Sequence, residues 1–194
     1  LWSHLLGALK GGALYQRSSF MLDKLGHHIL PKDISIIEDP FILKGLGSSN
    51  YDSDGVATAK RTIVEQGRLD GYFLSGYSAR RLGMETTGNA GGIHNILIES
   101  PQQSLDAMLK QLGTGLLITE VMGQGVNIVT GNYSRGASGF WFEDGEIQHY
   151  VQEITIAGNL EDMLQSIIAV GSDVDGRSSI LTGSVAIDGM TIAA

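Results

Sequence analysis

Cysteine is missing altogether from the 194 residues, which removes disulfides, thiolate metal ligands and a cysteine nucleophile from consideration. Proline is scarce, at three, beside 27 glycines, about twice the usual glycine share. Many glycines with few prolines point to bulged, closely packed β structure and away from a disordered linker. No apolar run approaches the roughly 18 residues that cross a membrane as a helix. The opening lacks a basic stretch before its apolar residues and a small-residue cleavage site after them, so it does not read as a signal peptide. Positive charge is thin as well. The net charge is −8 and the one basic cluster is Arg80-Arg81, whereas nucleic acid calls for clustered Lys and Arg. These absences predict a cytoplasmic protein with no membrane and no direct nucleic-acid contact.

The length suffices for one large core. Leu1 begins an apolar, helix-periodic stretch, LWSHLLGALKGGAL, with no start Met and no N-cap ahead of it. The expectation is therefore a fragment, with residues 1–194 forming one C-terminal domain and an N-terminal domain lying outside it. The pattern predicts a helix over Leu1–Tyr15 broken near Gly11-Gly12, a strand over Asp33–Ile37, and a loop over Lys44–Asp54. A hairpin pairs Arg61–Gln66 with Tyr72–Leu74, and Leu82–Gly92 is a second loop before a strand at Ile93–Glu99. Ser104 caps the helix LDAMLKQL, which stops at Gly113. Strands follow at Leu116–Val121, Val126–Val129, Gly139–Phe142 and Glu146–Val151, the last two meeting at the Asp144-Gly145 turn signal. Asn159 caps a helix reading LEDMLQSIIAVG, and strands at Ile180–Ile187 and Met190–Ala193 flank Asp188-Gly189. Without βαβ alternation this is an α+β chain: a mostly antiparallel, curved or barrel-like sheet with about three helices.

The stretch Met122–Gly158 is the most unusual. It holds seven glycines among strand formers, and Thr130, Gly131, Asn132, Tyr133, Ser134, Arg135 and Gly136 form a run with no aliphatic side chain. Glycine allows positive φ and close backbone approach, and Tyr and Arg are frequent interface anchors; a tight corner in a curved sheet accounts for the same run. Elsewhere, familiar chemistry is absent. Ser134 lacks the G-x-S-x-G elbow, and no G-K-[ST] phosphate loop occurs. Asn50-Tyr51-Asp52-Ser53-Asp54-Gly55 matches the opening of a calcium loop, but Arg61 stands where the bidentate Glu belongs; Asp52 and Asp54 read as solvated turn acids. His27 and His28 diverge on either regular element, and His149 reads as a solvent-facing or structural strand residue. His94, beside the loop glycines Gly91 and Gly92, is the better functional candidate, as a site residue or as a satisfied structural hydrogen bond.

Longer blocks carry a resemblance. LLGALKGGALYQRSSFMLDKLG (Leu5–Gly26), DSDGVATAKRTIVEQGRLDGYFLSGYSARRLG (Asp52–Gly83), TTGNAGGIHN (Thr86–Asn95) and EITIAGNLEDML (Glu153–Leu164), together with the Met122–Gly158 stretch, resemble the C-terminal region of the TldD/PmbA family. The likeness runs over essentially the whole chain and is to the PmbA (TldE) branch. The resemblance implies a link to cytoplasmic peptide processing. Its catalytic branch carries H-E-x-x-x-H on a helix, two imidazoles for a metal and a carboxylate to activate water. At the matching place this chain reads Ser3, His4 and Ala8, and where those relatives carry a ligating Cys before Gly it reads Thr182-Gly183.

The resemblance therefore implies no catalytic residue, no metal ligand and no cofactor in this chain, with zinc or another divalent metal in a TldD-like partner. The expected function is that of a non-catalytic subunit of a metallopeptidase complex that handles extended peptides. Thr130–Gly136 and Thr87–Asn95, with Asn89, Gly91, Gly92 and His94, are the expected peptide- or partner-binding segments. Arg135 would hold a peptide carboxylate, bridge to the partner or form a surface salt bridge. The alternatives are a self-sufficient peptidase with another site, or a homodimeric binding module of the gyrase-modulator kind.

Overall fold

The computed structural model describes residues 1–193. The chain runs through α1 (Trp2–Ala8), α2 (Gly11–Tyr15), β1 (Ser35–Asp39), β2 (Arg61–Glu65), β3 (Arg68–Leu69) and α3 (Gly76–Leu82). It continues as β4 (Asn95–Glu99), β5 (Gln102–Gln103), α4 (Leu105–Leu112), β6 (Gly115–Met122), β7 (Asn132–Glu143) and β8 (Glu146–Asn159). The last elements are α5 (Leu160–Gln165), β9 (Ile167–Gly171), β10 (Ile180–Leu181), β11 (Val185–Ile187) and β12 (Thr191–Ala193). Three open sheets result, in the orders β10-β4-β1-β2-β3, β11-β9-β5 and β12-β8-β7-β6. Among the described residues only β4–β10 and β5–β9 pair in parallel as strands. The α+β, mostly antiparallel expectation holds. None of the three sheets closes into a barrel, and five short helices replace the three expected.

Two apolar clusters hold these layers. The larger joins Leu5, Leu6 and Leu9 to Ile36, Ile63, Leu74, Ile96 and Leu164. The smaller gathers Tyr133, Ala137, Ile154, Ile156, Leu160 and Met163 under the four-stranded sheet. Leu1, Phe20 and Ile187 pack against both clusters, so the layers share one interior. Strand alternation decides what else is inside. Ile36 and Glu38 lie two apart on β1, so they face the same way, and both are fully buried.

Several expected elements shift for local reasons. The first helix breaks at Leu9-Lys10 instead of Gly11-Gly12, because Phe73 N donates to Leu9 O (3.1 Å) and Gly11 N to Phe73 O (2.8 Å). Arg61–Glu65 pairs with Arg68–Leu69, not with Tyr72–Leu74. The unexpected helix α3 carries a Ser75/Ser78 capping box and ends on Gly83 at φ 67°, signals present in the sequence. Of the expected strand Val126–Val129, Val126 keeps a single antiparallel bridge to Tyr133, and 128–130 turn where Asn127 Oδ1 accepts from Val129 N (2.8 Å), an arrangement that competes with strand pairing. The helix after Asn159 ends at Gln165, and Ile167–Gly171 becomes β9 between β11 and β5. The β-branched Ile167, Ile168 and Val170 suit that ladder better than a helix.

Thr130–Gly136 proves to be a turn leading into a long central strand. Asn132 pairs with Asn159 and the ladder continues to Glu143 opposite Glu146. At Gly139 the neighbouring strand comes so close that a Cβ would stand 2.0 Å from Leu117 O. β6 and β8 flank this strand on its two sides, with bulges in both ladders. The Asp144-Gly145 turn forms as expected, with φ 52° and 77°.

Candidate functional site

Lys10 adopts an extended conformation between two short helices, φ −72° and ψ 138°, and this kink opens a cleft. Its larger lobe, about 450 Å3, lies between the α1–α2 corner and the Asn89–Ile93 segment, with Lys10, Gly12, Ser75, Asn89 and Gly91 on its walls. A smaller lobe of about 250 Å3 shares Gly7, Lys10 and Ile93 and reaches Ser3, Leu6, His94 and Ile180. α1 buries Trp2, Leu5, Leu6 and Ala8, which leaves Ser3 and Gly7 on the cleft side.

The loop that forms the far wall is fixed by buried polar groups. Glu38 is fully buried. Its Oε2 accepts from Arg61 Nη2 (2.7 Å), and its Oε1 accepts from Asn89 Nδ2 (2.7 Å) and His94 N (3.0 Å). Asn89 Oδ1 in turn accepts from Arg61 Nη2 (3.0 Å) and Thr87 Oγ1 (2.7 Å). Charge-assisted bonds of this length are the strong ones, so Asn89 reaches the cleft with no freedom left. Arg61 also lies over the Phe73 ring, 6.0 Å from its centre.

Asp52 is buried and holds the same wall from below, which corrects its reading as a solvated turn acid. It accepts from Asp54 N, Val56 N and Ala90 N at 2.9 Å each. Burial raises its pKa, yet these backbone donors outweigh that and leave it below the ordinary carboxylate value. His94 has its ring nitrogens against Gly47 O (3.1 Å) and Gly88 O (3.0 Å). A neutral imidazole has one N–H to give, whereas the imidazolium would donate to both carbonyls. His94 therefore ties the Gly47 loop to the Gly88 turn.

The segments singled out in the sequence fall in two places. Asn89, Gly91 and Gly92 line the larger lobe and His94 the smaller one. Thr130, Gly131, Asn132, Tyr133, Ser134, Arg135 and Gly136 lie in the four-stranded sheet and its entry turn, off the cleft walls. The backbone there is paired on both sides: Ser134 N donates to Gly125 O (2.6 Å), and β8 occupies the other flank. Arg135 donates from Nε to Met122 O (3.0 Å) and from Nη2 to Val121 O (3.3 Å), capping the last backbone carbonyls of β6. Tyr133 meets His4 edge-on at 6.2 Å, which connects this region to α1. Burial raises the Tyr133 pKa against the pull of Arg135. Burial lowers that of His4, and the nearby Arg135 lowers it further. Glu38, Arg61 and Asp52 were missed in sequence. The one signal for Glu38 was its place two residues after Ile36 on a short strand.

Of the positions that the resemblance matches to a metal site, Ser3, His4, Ala8 and Thr182, the last is tied to α1 through a neighbouring side chain. Trp2 Nε1, next to Ser3, donates to Thr182 Oγ1 (3.0 Å). Their chemistry does not fit a metal, since Ala8 carries no donor and is fully buried. The Thr182 hydroxyl is taken up with Trp2 and with Gly183 O (3.1 Å). Among the described residues no three His, Cys, Asp or Glu side chains are grouped to hold an ion, and no helix is long and apolar enough to cross a membrane.

Comparison with known proteins gives this geometry its context. The family model described as the PmbA/TldA metallopeptidase C-terminal domain matches residues 1–194. The Escherichia coli O157:H7 protein named metalloprotease PmbA is 54% identical over 193 residues, covering 100% of this chain and 43% of that protein. Among solved structures, a Bacteroides thetaiotaomicron protein with a provisional gyrase-modulator name superposes with a TM-score of 0.92 at 31% identity, over 98% of this chain and 43% of the other. TldE from Thermococcus kodakarensis gives 0.84 at 28% identity, over 98% and 46%. The chain thus spans less than half the length of the relatives it matches, and it belongs to the PmbA/TldD metallopeptidase family as that family's C-terminal domain.

Proposed function

We propose that this domain serves the non-catalytic subunit of a cytoplasmic metallopeptidase complex, one that receives extended peptides beside a metal-bearing relative. The observation that carries the reading is the cleft itself. Ser3, Gly7 and Lys10 line a polar groove on the helix where the catalytic branch is expected to hold its metal, and Ala8, at a ligand position, is buried in the core. A groove with glycine backbone, hydroxyls, one amide and one ammonium is suited to hold a peptide main chain and a carboxylate. The one imidazole on its walls, His94, has both ring nitrogens against backbone carbonyls and is not free to activate a wall hydroxyl. Zinc or another divalent ion, and the water it activates, belong in this reading to the partner. Bacterial relatives named PmbA and an archaeal one named TldE support the branch assignment.

The test is recovery of the tagged full-length parent from its own cells, with mass spectrometry of what accompanies it. A near-equimolar relative bearing H-E-x-x-x-H is the expected result. Recovery of the parent alone, or of a self-dimer holding one metal per chain, would overturn the reading.

A further inference from the structure

His94 is buried, and each of its ring nitrogens faces a backbone carbonyl, Nδ1 at 3.1 Å from Gly47 O and Nε2 at 3.0 Å from Gly88 O. A neutral imidazole has a single N–H. In that form one nitrogen turns its lone pair on a carbonyl lone pair at hydrogen-bond distance. Only the imidazolium donates to both oxygens, and bonds from a charged donor are the stronger kind. Charge balance points the same way. Asp52 is buried, and its carboxylate accepts from the Asp54, Val56 and Ala90 amides. Among the described residues no Lys or Arg pairs with it, and a buried charge without an opposite one is costly. Burial raises the Asp52 pKa, the three amides lower it, and the charge of His94 lowers it further. The interaction is mutual, so the ionised Asp52 favours a positive ring. Other charges on the surrounding elements are matched or solvated. On β1, Glu38 pairs with Arg61 and Asp39 with Lys60 (3.1 Å). Arg177, ahead of β10, pairs with Asp175. Lys10 on the small lobe, Lys44 in the Gly47 loop, Asp54 beside Asp52 and Glu85 ahead of the Gly88 turn are exposed.

We propose that His94 is a protonation-dependent clasp: as the imidazolium, with Asp52 as its counter-ion, it holds the Gly47 loop to the Gly88 turn, and on losing its proton it releases the loop. The two ties differ in what can replace them. The Gly88 contact is buried, whereas the Gly47 contact is only partly so. Water can take over Gly47 O but not Gly88 O, so the neutral ring keeps its one proton on Nε2. The clasp is closed at acidic pH, where the ring is charged, and opens as pH rises through the imidazole range. Asn95 Oδ1 still accepts from Gly47 N (2.8 Å), so the loop loosens without leaving. Asn89, beside Gly88, keeps its place on the larger lobe, and the change falls on the side of the small lobe that His94 lines. None of this depends on which ligand the cleft takes.

The test is a series from about pH 5.5 to about pH 8.5 on the full-length parent labelled with 15N-histidine, with His94→Gln to assign the His94 ring signals. Two protonated ring nitrogens are expected at the acidic end and the Nε2–H tautomer at the basic end. Over the same range hydrogen exchange at the Gly47 and Ser48 amides, corrected for the intrinsic effect of pH, should speed up about tenfold, while the Asn89 amide stays unchanged. Asp52→Asn should move the whole change to lower pH, and His94→Gln should hold the loop at one corrected rate throughout. A single neutral tautomer across the series overturns the proposal, and no variant is needed to see it. Two protonated nitrogens at every pH would make the tie permanent and overturn the release. A ring that loses its proton while loop exchange stays constant makes His94 a bystander and overturns the clasp. A change unmoved by Asp52→Asn removes Asp52 as the counter-ion.

Discussion

Removing the Glu38 carboxylate is the sharpest test of how the cleft is built. Glu38→Ala deletes three hydrogen bonds at once and leaves Arg61, Asn89 and the His94 amide without their acceptor. Breaking a buried ion pair from one side costs about 3–5 kcal/mol. Arg61 keeps a fifth of its side chain in water (21%), so solvent recovers part of that loss and the expectation is about 3 kcal/mol. For the unfolding transition of a domain of 194 residues that corresponds to a fall of about 6–12 °C in that domain's melting temperature. Glu38→Gln keeps the shape and the bond to the His94 amide but loses the charge, and should cost about 1.5–3 kcal/mol. Scanning calorimetry of the full-length parent measures both, with exposed Glu65→Ala as the neutral reference. Hydrogen exchange adds the local readout, since the His94 amide should lose protection first. A Glu38→Ala protein melting within 2 °C of the parent would refute the argument that this network fixes the cleft wall.

Other outcomes follow from single contacts. Gly139→Ala places a methyl 2.0 Å from Leu117 O, so expression should yield an insoluble or strongly destabilised product; a soluble, normally melting protein would show that β6 and β7 can part. Asn159→Ala removes the cap accepted from Glu161 N (2.9 Å) and the bond to Thr130 O (3.0 Å), and should cost about 1 kcal/mol by urea titration. Asp52 has a lowered pKa in the folded state, so its contribution is present above the unfolded carboxylate value, near pH 4, and is lost as pH falls through the folded value below it. Stability measured from pH 6 to pH 2 should therefore fall more steeply for the parent than for Asp52→Asn. Equal slopes would mean that the Ala90, Val56 and Asp54 amides do not favour the ionised form. Lys10→Glu should weaken binding of an extended peptide at least tenfold with no change in melting, because Lys10 is exposed at the cleft mouth; unchanged affinity measured by calorimetric titration would move the peptide elsewhere.

The sequence by itself determined the fold class, the Asp144-Gly145 hairpin, the caps at Ser104 and Asn159, and the family. These rest on local turn and capping chemistry or on long blocks of residue order, both legible along a chain. It also pointed to Asn89, Gly91, Gly92 and His94. Tertiary structure alone decided that these four face Ser3 and Lys10 across a cleft, and that Thr130–Gly136 is a turn entering a strand paired with its neighbours. It decided too that Ile167–Gly171 leaves its helix for a ladder, because its strand partners, β5 68 residues earlier and β11 15 to 20 residues later, exert no periodicity of their own near it. The Glu38–Arg61–Asn89 cluster was illegible for the same reason. Each member is an ordinary polar residue in its own neighbourhood; alternation with Ile36 points Glu38 inward, but only the fold brings the three into one network.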